Sequence, residues 1–182
     1  MAHITLRSDN LPGISGLLDY ARDTARPLMD LAETLLRGAS TLTMGERELI
    51  AASVSHGNGC RFCFSSHAAA AAVHLGRDLD LLDEIENGLR DETVSPKMRA
   101  LLAIAESVRA DGRSVAAAQV EAARAEGATD REIHDTVLIA AAFSMYNRYV
   151  DGLGTWAPEE KEAYRGSGER LARMGYGGRG GN

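Results

Sequence analysis

Apolar residues recur at helical spacing through most of the chain, and polar signals mark where each helix should begin and end. Ile14 to Tyr20 and Leu28 to Leu36 place Leu17, Leu18, Leu28, Leu31, Leu35 and Leu36 on inner faces. Pro27 has no amide donor, and its ring clashes with the previous turn, so it is expected to separate or kink these two segments. Thr43 and Glu46 form a T-x-x-E capping box ahead of Leu49, Ile50, Ala52 and Val54. That helix should stop at His56 to Gly59, where glycine permits a left-handed turn. The next helix is predicted from Cys60 to Leu75, through the alanines at 68–72, with Gly76 as its stop. A shorter segment spans Leu79 to Leu89, and Ser95 and Pro96 cap a helix through Met98, Leu101, Leu102, Ile104 and Val108. Ser114 opens another from Val115 to Glu126, ended by Gly127. A second capping box, Thr129 and Glu132, starts a helix through Ile133, Val137, Leu138, Ala141 and Met145 towards Val150, the expected central helix of the core.

Composition agrees with this pattern. The 182 residues include 29 Ala, 3 Phe and 1 Trp, and runs of Val, Ile or Thr that favour strands are few. The fold class expected is therefore all-α, packed through small residues, with a single domain over 1–164. A polar helix after Pro158 reaches Met174. Seven of the 19 glycines fall within 165–182, which reads as a Gly-rich C-terminal tail, and the closing GYGGRGG as flexible. The segments 43–89 and 95–150 suggest a remote duplication only weakly, because the second lacks cysteine.

Charge narrows the partners. Twenty Lys plus Arg against 26 Asp plus Glu give a formal charge of −6, which argues against a nucleic-acid partner. No apolar run approaches the ~20 residues that span a bilayer, so no membrane is expected. Met1 to Asn10 has no apolar signal-peptide core, and the expected compartment is cytoplasmic. Glu84, Glu86, Asp91 and Glu92 read as a solvated acidic face, and Arg148 with Asp151 as an i, i+3 ion pair.

The chain has 2 Cys, and both lie in the stretch from Glu46 to His67. Cys60, Cys63 and His67 stand at i, i+3 and i+7, within an arc of about 60° on a helix. A thiol must ionise before it attacks a peroxide or disulfide, and an ordinary thiol is mostly protonated at neutral pH. Free amides at the helix start favour the charged sulfur, which by position alone points to Cys60 as the more acidic thiol. His67 is placed to take a proton from Cys63, and Glu48 on the preceding helix to orient that imidazole. A second thiol one turn away condenses with a sulfenic acid to give a disulfide. No cofactor is expected. Two other readings use the same residues. His56, Cys60, Cys63 and His67 form H-x3-C-x2-C-x3-H, the ligand count of a structural zinc site, and a redox sensor would form the disulfide without turning over a peroxide. Phe64 after the second Cys excludes c-type haem attachment. A thioredoxin fold needs a strand before its CxxC, where Leu49 to Ser55 reads as a helix.

The pattern E-x11-C-x2-C-x3-H, filled by Glu48, Cys60, Cys63 and His67 within ASVSHGNGCRFC, resembles the alkylhydroperoxidase D-like members of the carboxymuconolactone decarboxylase superfamily. NRYVDGLG from Asn147 resembles their peroxidase-related branch. The resemblance implies an all-helical fold with the CxxC at a helix N-terminus, a homo-oligomer, and a thiol-dependent peroxidase with a hydroperoxide substrate and a thiol electron donor. It implies that Cys63 is the peroxidatic thiol and Cys60 the resolving one, with His67 and Glu48 as proton relay. Phe62 departs from the pattern, since some family peroxidases carry His there. Decarboxylase-type relatives lack the Cys pair.

Overall fold

The computed structural model describes residues 2–90 and 92–177, and these form helices with no strand among them. The order is α1 (Ile14–Tyr20), α2 (Arg22–Arg37), α3 (Met44–Gly57), α4 (Arg61–His74), α5 (Asp80–Glu86), α6 (Pro96–Ala110), α7 (Ala117–Ala125), α8 (Asp130–Gly152) and α9 (Arg165–Met174). Short 3-10 turns occupy Gly112–Ser114 and Lys161–Tyr164. No described helix is long and apolar enough to cross a membrane.

The capping signals act where they were expected. Thr43 accepts the Glu46 amide while the Glu46 carboxylate accepts the Thr43 amide, and Thr129 and Glu132 do the same at α8. Ser95 caps α6, with Pro96 as its first residue. Two starts differ from expectation. Helix α7 begins at Ala117 rather than Val115, because Gly112–Ser114 form their own turn and the Gln119 side chain caps the Ala116 amide. The chain breaks at Ala21 rather than at Pro27, which lies inside α2. Pro27 and Asp23 are both exposed, so water can satisfy the Asp23 carbonyl that the missing proline amide leaves free.

Helices α3 and α4 pair as a hairpin, and α4, not α8, is the most enclosed helix: Cys63 through Ala72 are all buried. Five consecutive alanines let neighbours approach α4 from every side, whereas α8 packs on α3 and α6 and leaves Leu138 and Met145 exposed. Glu84 is not part of a solvated face. Arg77 holds it at 2.5 Å and Thr93 at 2.7 Å, while Asp91 lies outside the described residues.

The C-terminal segment is built into the fold as far as Tyr176. Helix α9 packs along α4, with Leu171 and Tyr176 buried; within the expected tail, residues 178–182 lie outside the described ones. Gly168 makes this approach possible, because a Cβ there would stand 2.8 Å from the Ala69 backbone. Gly168→Ala is expected to push α9 off α4 and to destabilise the protein by about 1–3 kcal/mol, read as a lower urea midpoint.

Candidate active site

The sulfur pair sits where α3 turns into α4. Gly59, at φ +74°, makes the left-handed turn that the HGNG stretch suggested. The Cys60 amide then donates to the Ser55 carbonyl at 3.0 Å. Asn147 on α8 ties the turn down: its carboxamide accepts from Asn58 at 2.9 Å and donates to the Ser55 hydroxyl at 3.0 Å. Cys60 is the residue that caps α4, in an extended conformation, and Cys63 is the third residue of the helix. His67 follows Cys63 by one turn on the same face.

The two sulfurs have different surroundings. Cys60 is completely buried, at 0% exposure, whereas Cys63, at 3%, lines a cavity of about 380 Å3 together with His67. Neither is in a disulfide. The Cys60 thiol is pushed well above its ordinary value, first by the Cys63 thiol in contact with it, then by burial, and further by the nearby Asp151 carboxylate. Position alone favoured Cys60 as the more acidic thiol. The helix start does not make Cys60 acidic, because the cap position lies in the dry interior beside the Cys63 thiol and the Asp151 carboxylate, which raise its thiol. Asp151 therefore faces Cys60 rather than forming the expected pair with Arg148, which bonds the Ser144 carbonyl at 2.9 Å.

His67 and Glu48 meet as the sequence suggested. The Glu48 carboxylate, at 0% exposure, accepts from His67 Nδ1 at 2.7 Å. That bond puts the proton on Nδ1 and leaves Nε2 as the basic nitrogen. Two further partners had no sequence signal strong enough to find them. Arg37, at the end of α2, donates to Glu48 Oε1 at 2.5 Å, and the Tyr176 hydroxyl donates to the same oxygen at 2.7 Å. Tyr176 also lies 3.1 Å from His67 Nδ1 and stacks on its ring, while the Arg37 guanidinium stands 5.1 Å over the Tyr176 ring. Burial alone would raise the Glu48 carboxyl. The His67 bond, the nearby positive groups and the Tyr176 hydroxyl outweigh it and hold the carboxyl below its usual range.

Phe62 lines the cavity and packs towards Tyr164 at 6.2 Å, filling the space beside Gly13. His56 is exposed and lies against Phe64, with ring centroids 5.1 Å apart. The four-residue zinc arrangement is therefore not assembled, and among the described residues no three His, Cys, Asp or Glu side chains converge as a metal would require.

The model of the carboxymuconolactone decarboxylase family matches residues 22–87 and 79–156, and the chain belongs to that family. The two matches fall on the halves that sequence alone relates only weakly. No curated protein matches the chain. Among solved structures, an AhpD-core, peroxidase-related protein from Ralstonia eutropha is 28% identical with a TM-score of 0.74, covering 82% of this chain and 78% of that one. A peroxidase-related protein from Silicibacter sp. is 25% identical with a TM-score of 0.75, covering 85% and 79%. A protein of unknown function from Agrobacterium tumefaciens shares the fold, at 22% identity and a TM-score of 0.67, covering 81% and 99%.

Proposed function

We propose that this protein is a thiol-dependent peroxidase that reduces hydroperoxides through a Cys63/Cys60 dithiol and disulfide cycle. The observation that carries the reading is the division of labour between the sulfurs: Cys63 opens on an apolar cavity beside His67, and Cys60 is sealed behind it in contact. The peroxidase-related relatives add support.

In the first step His67 Nε2 takes the Cys63 proton, and the resulting thiolate attacks the outer oxygen of the hydroperoxide. An S–O bond forms, the O–O bond breaks, and the leaving alkoxide receives the proton from His67 as alcohol. Cys63 is then a sulfenic acid. The Cys60 sulfur attacks it, an S–S bond forms, and water leaves with the Cys60 proton and the sulfenic hydroxyl. Two electrons from an external dithiol donor restore both thiols. Cys63 is the third residue of α4, in the turn whose free amides favour a negative sulfur. With Phe62 between the cysteines, His67 is the imidazole through which the proton moves.

The test is consumption of a hydroperoxide with dithiothreitol as donor, with mass spectrometry of the intermediates. A Cys60–Cys63 disulfide formed in stoichiometry with the first peroxide equivalent supports the cycle, and no peroxide-dependent disulfide removes it.

Tyr176 and Arg37 hold the Glu48 carboxylate against His67, as residues beyond the first contact of a reacting group commonly do. Tyr176→Phe deletes one of the donors on Glu48. With that donor gone the carboxylate and the imidazole it orients are held less firmly, so kcat is expected to fall about tenfold while KM changes little. An unchanged kcat would show that the hydroxyl only fills space.

A further inference from the structure

The cavity wall carries a charge pattern that the dithiol cycle leaves unused. Besides His67, the charged side chain among the described lining residues is Arg170, and no carboxylate lines the cavity. The rest of the wall is dominated by apolar and aromatic groups such as Leu18, Met29, Phe62 and Phe143. Arg170 projects from α9 and is part-buried, and it has no hydrogen bond or ion pair among the described residues. On the same helix, Arg165 is taken up by Asp78 and Glu162. Arginine is weakly hydrated and presents a planar fork that matches a carboxylate. Beside an apolar wall, without a counter-ion, it is a recognition group waiting for an anion.

We propose that Arg170 forms the anion-binding end of the cavity, and that the substrates are amphiphilic hydroperoxides with an apolar body and a carboxylate end, such as oxidised unsaturated fatty acids. The apolar wall takes the hydrocarbon body beside Cys63, and the guanidinium takes the carboxylate in a bidentate pair. One guanidinium balances a monoanion, which favours a carboxylate over a phosphate dianion. Helix α9, which carries Arg170, lies beyond residues 22–156 covered by the family match. The proposal rests on the peroxidase reading for the reaction, but not for the binding.

Two measurements separate the two. The first compares kcat/KM for a fatty-acid hydroperoxide and its methyl ester in the unmodified protein and in Arg170→Gln. The acid-to-ester ratio is expected to fall about 10- to 100-fold in the variant. The second follows alkylation of Cys63 by iodoacetamide, read by mass spectrometry, with decanoate or decanol present. Decanoate is expected to protect Cys63 better than decanol, and Arg170→Gln to erase the difference. Protection that depends on Arg170, without turnover of any hydroperoxide, upholds the subsite and removes the peroxidase reading. Turnover with the same acid-to-ester ratio in both proteins, or equal protection by acid and alcohol, overturns the subsite.

Discussion

Cys63→Ser is expected to abolish thiol-dependent hydroperoxide reduction, by about three orders of magnitude or more. A serine hydroxyl is not ionised at neutral pH and is a poor nucleophile towards a peroxide, and loss of a nucleophile typically costs that much. The substitution is nearly isosteric at a position 3% exposed, so the fold should survive and the loss be chemical. Cys60→Ser should behave differently. It retains the sulfur on the cavity wall, so the variant consumes one equivalent of peroxide and stops at the Cys63 sulfenic acid, which a trapping reagent would label. The exchanged pattern, with the sulfenic acid appearing on Cys60 in Cys63→Ser, would reverse the roles. Undiminished turnover in Cys63→Ser would end the proposal. The contrast has force because Cys60 is sealed, and the contact with Cys63 that raises its thiol also brings the two sulfurs together for condensation.

Much of this arrangement is legible in the sequence where neighbours in the chain are neighbours in space. The Thr43, Ser95 and Thr129 caps, the glycine turn before Cys60 and the one-turn spacing of Cys63 and His67 are local, and the structure forms them. The Glu48 to His67 bond spans nineteen positions, and the pattern that relates them is visible because both lie on one hairpin. Arg37 and Tyr176 are different. Arg37 reads as a basic residue closing a helix, a common contact with the helix dipole. Tyr176 lies 128 positions from Glu48 among glycines that suggest a chain without structure. Its being the aromatic in GYGGRGG is the clue that was available, since an isolated aromatic with a hydroxyl needs both an apolar cover and a polar partner. The expectation of an acidic Cys60 failed for a related reason. Helix position is local information, but burial and the approach of Asp151 from the end of α8 belong to the tertiary fold.

Glu48→Gln is expected to damage both stability and activity, because three donors converge on one carboxylate. Arg37, whose side chain is 7% exposed, would lose its counter-charge in the interior. Leaving a buried charge unpaired typically costs about 3–5 kcal/mol, and the carbonyls of Leu36 and Leu171 that Arg37 also bonds place the expectation at about 3. That is a large part of the roughly 5–15 kcal/mol available to a domain, and a urea titration would register it as a lower midpoint. Replacing Arg37 by Leu as well removes the orphaned charge, so the double variant should be more stable than Glu48→Gln alone. The pH dependence has a fixed sign. The folded Glu48 carboxyl lies below its ordinary value, so its stabilisation is fully present above that value and is lost as pH falls through the folded one. The variant should lack this part of the acid loss. Its effect on the reaction follows from the imidazole. A glutamine can turn its amide donor towards Nδ1, which then accepts, and the proton moves to Nε2, the atom needed as base. A fall of about 10²- to 10⁴-fold in peroxide-dependent rate is expected, measured by single-turnover oxidation of Cys63. A variant that unfolds like the unmodified protein and oxidises at the same rate would show that the buried carboxylate neither neutralises Arg37 nor sets the tautomer of His67.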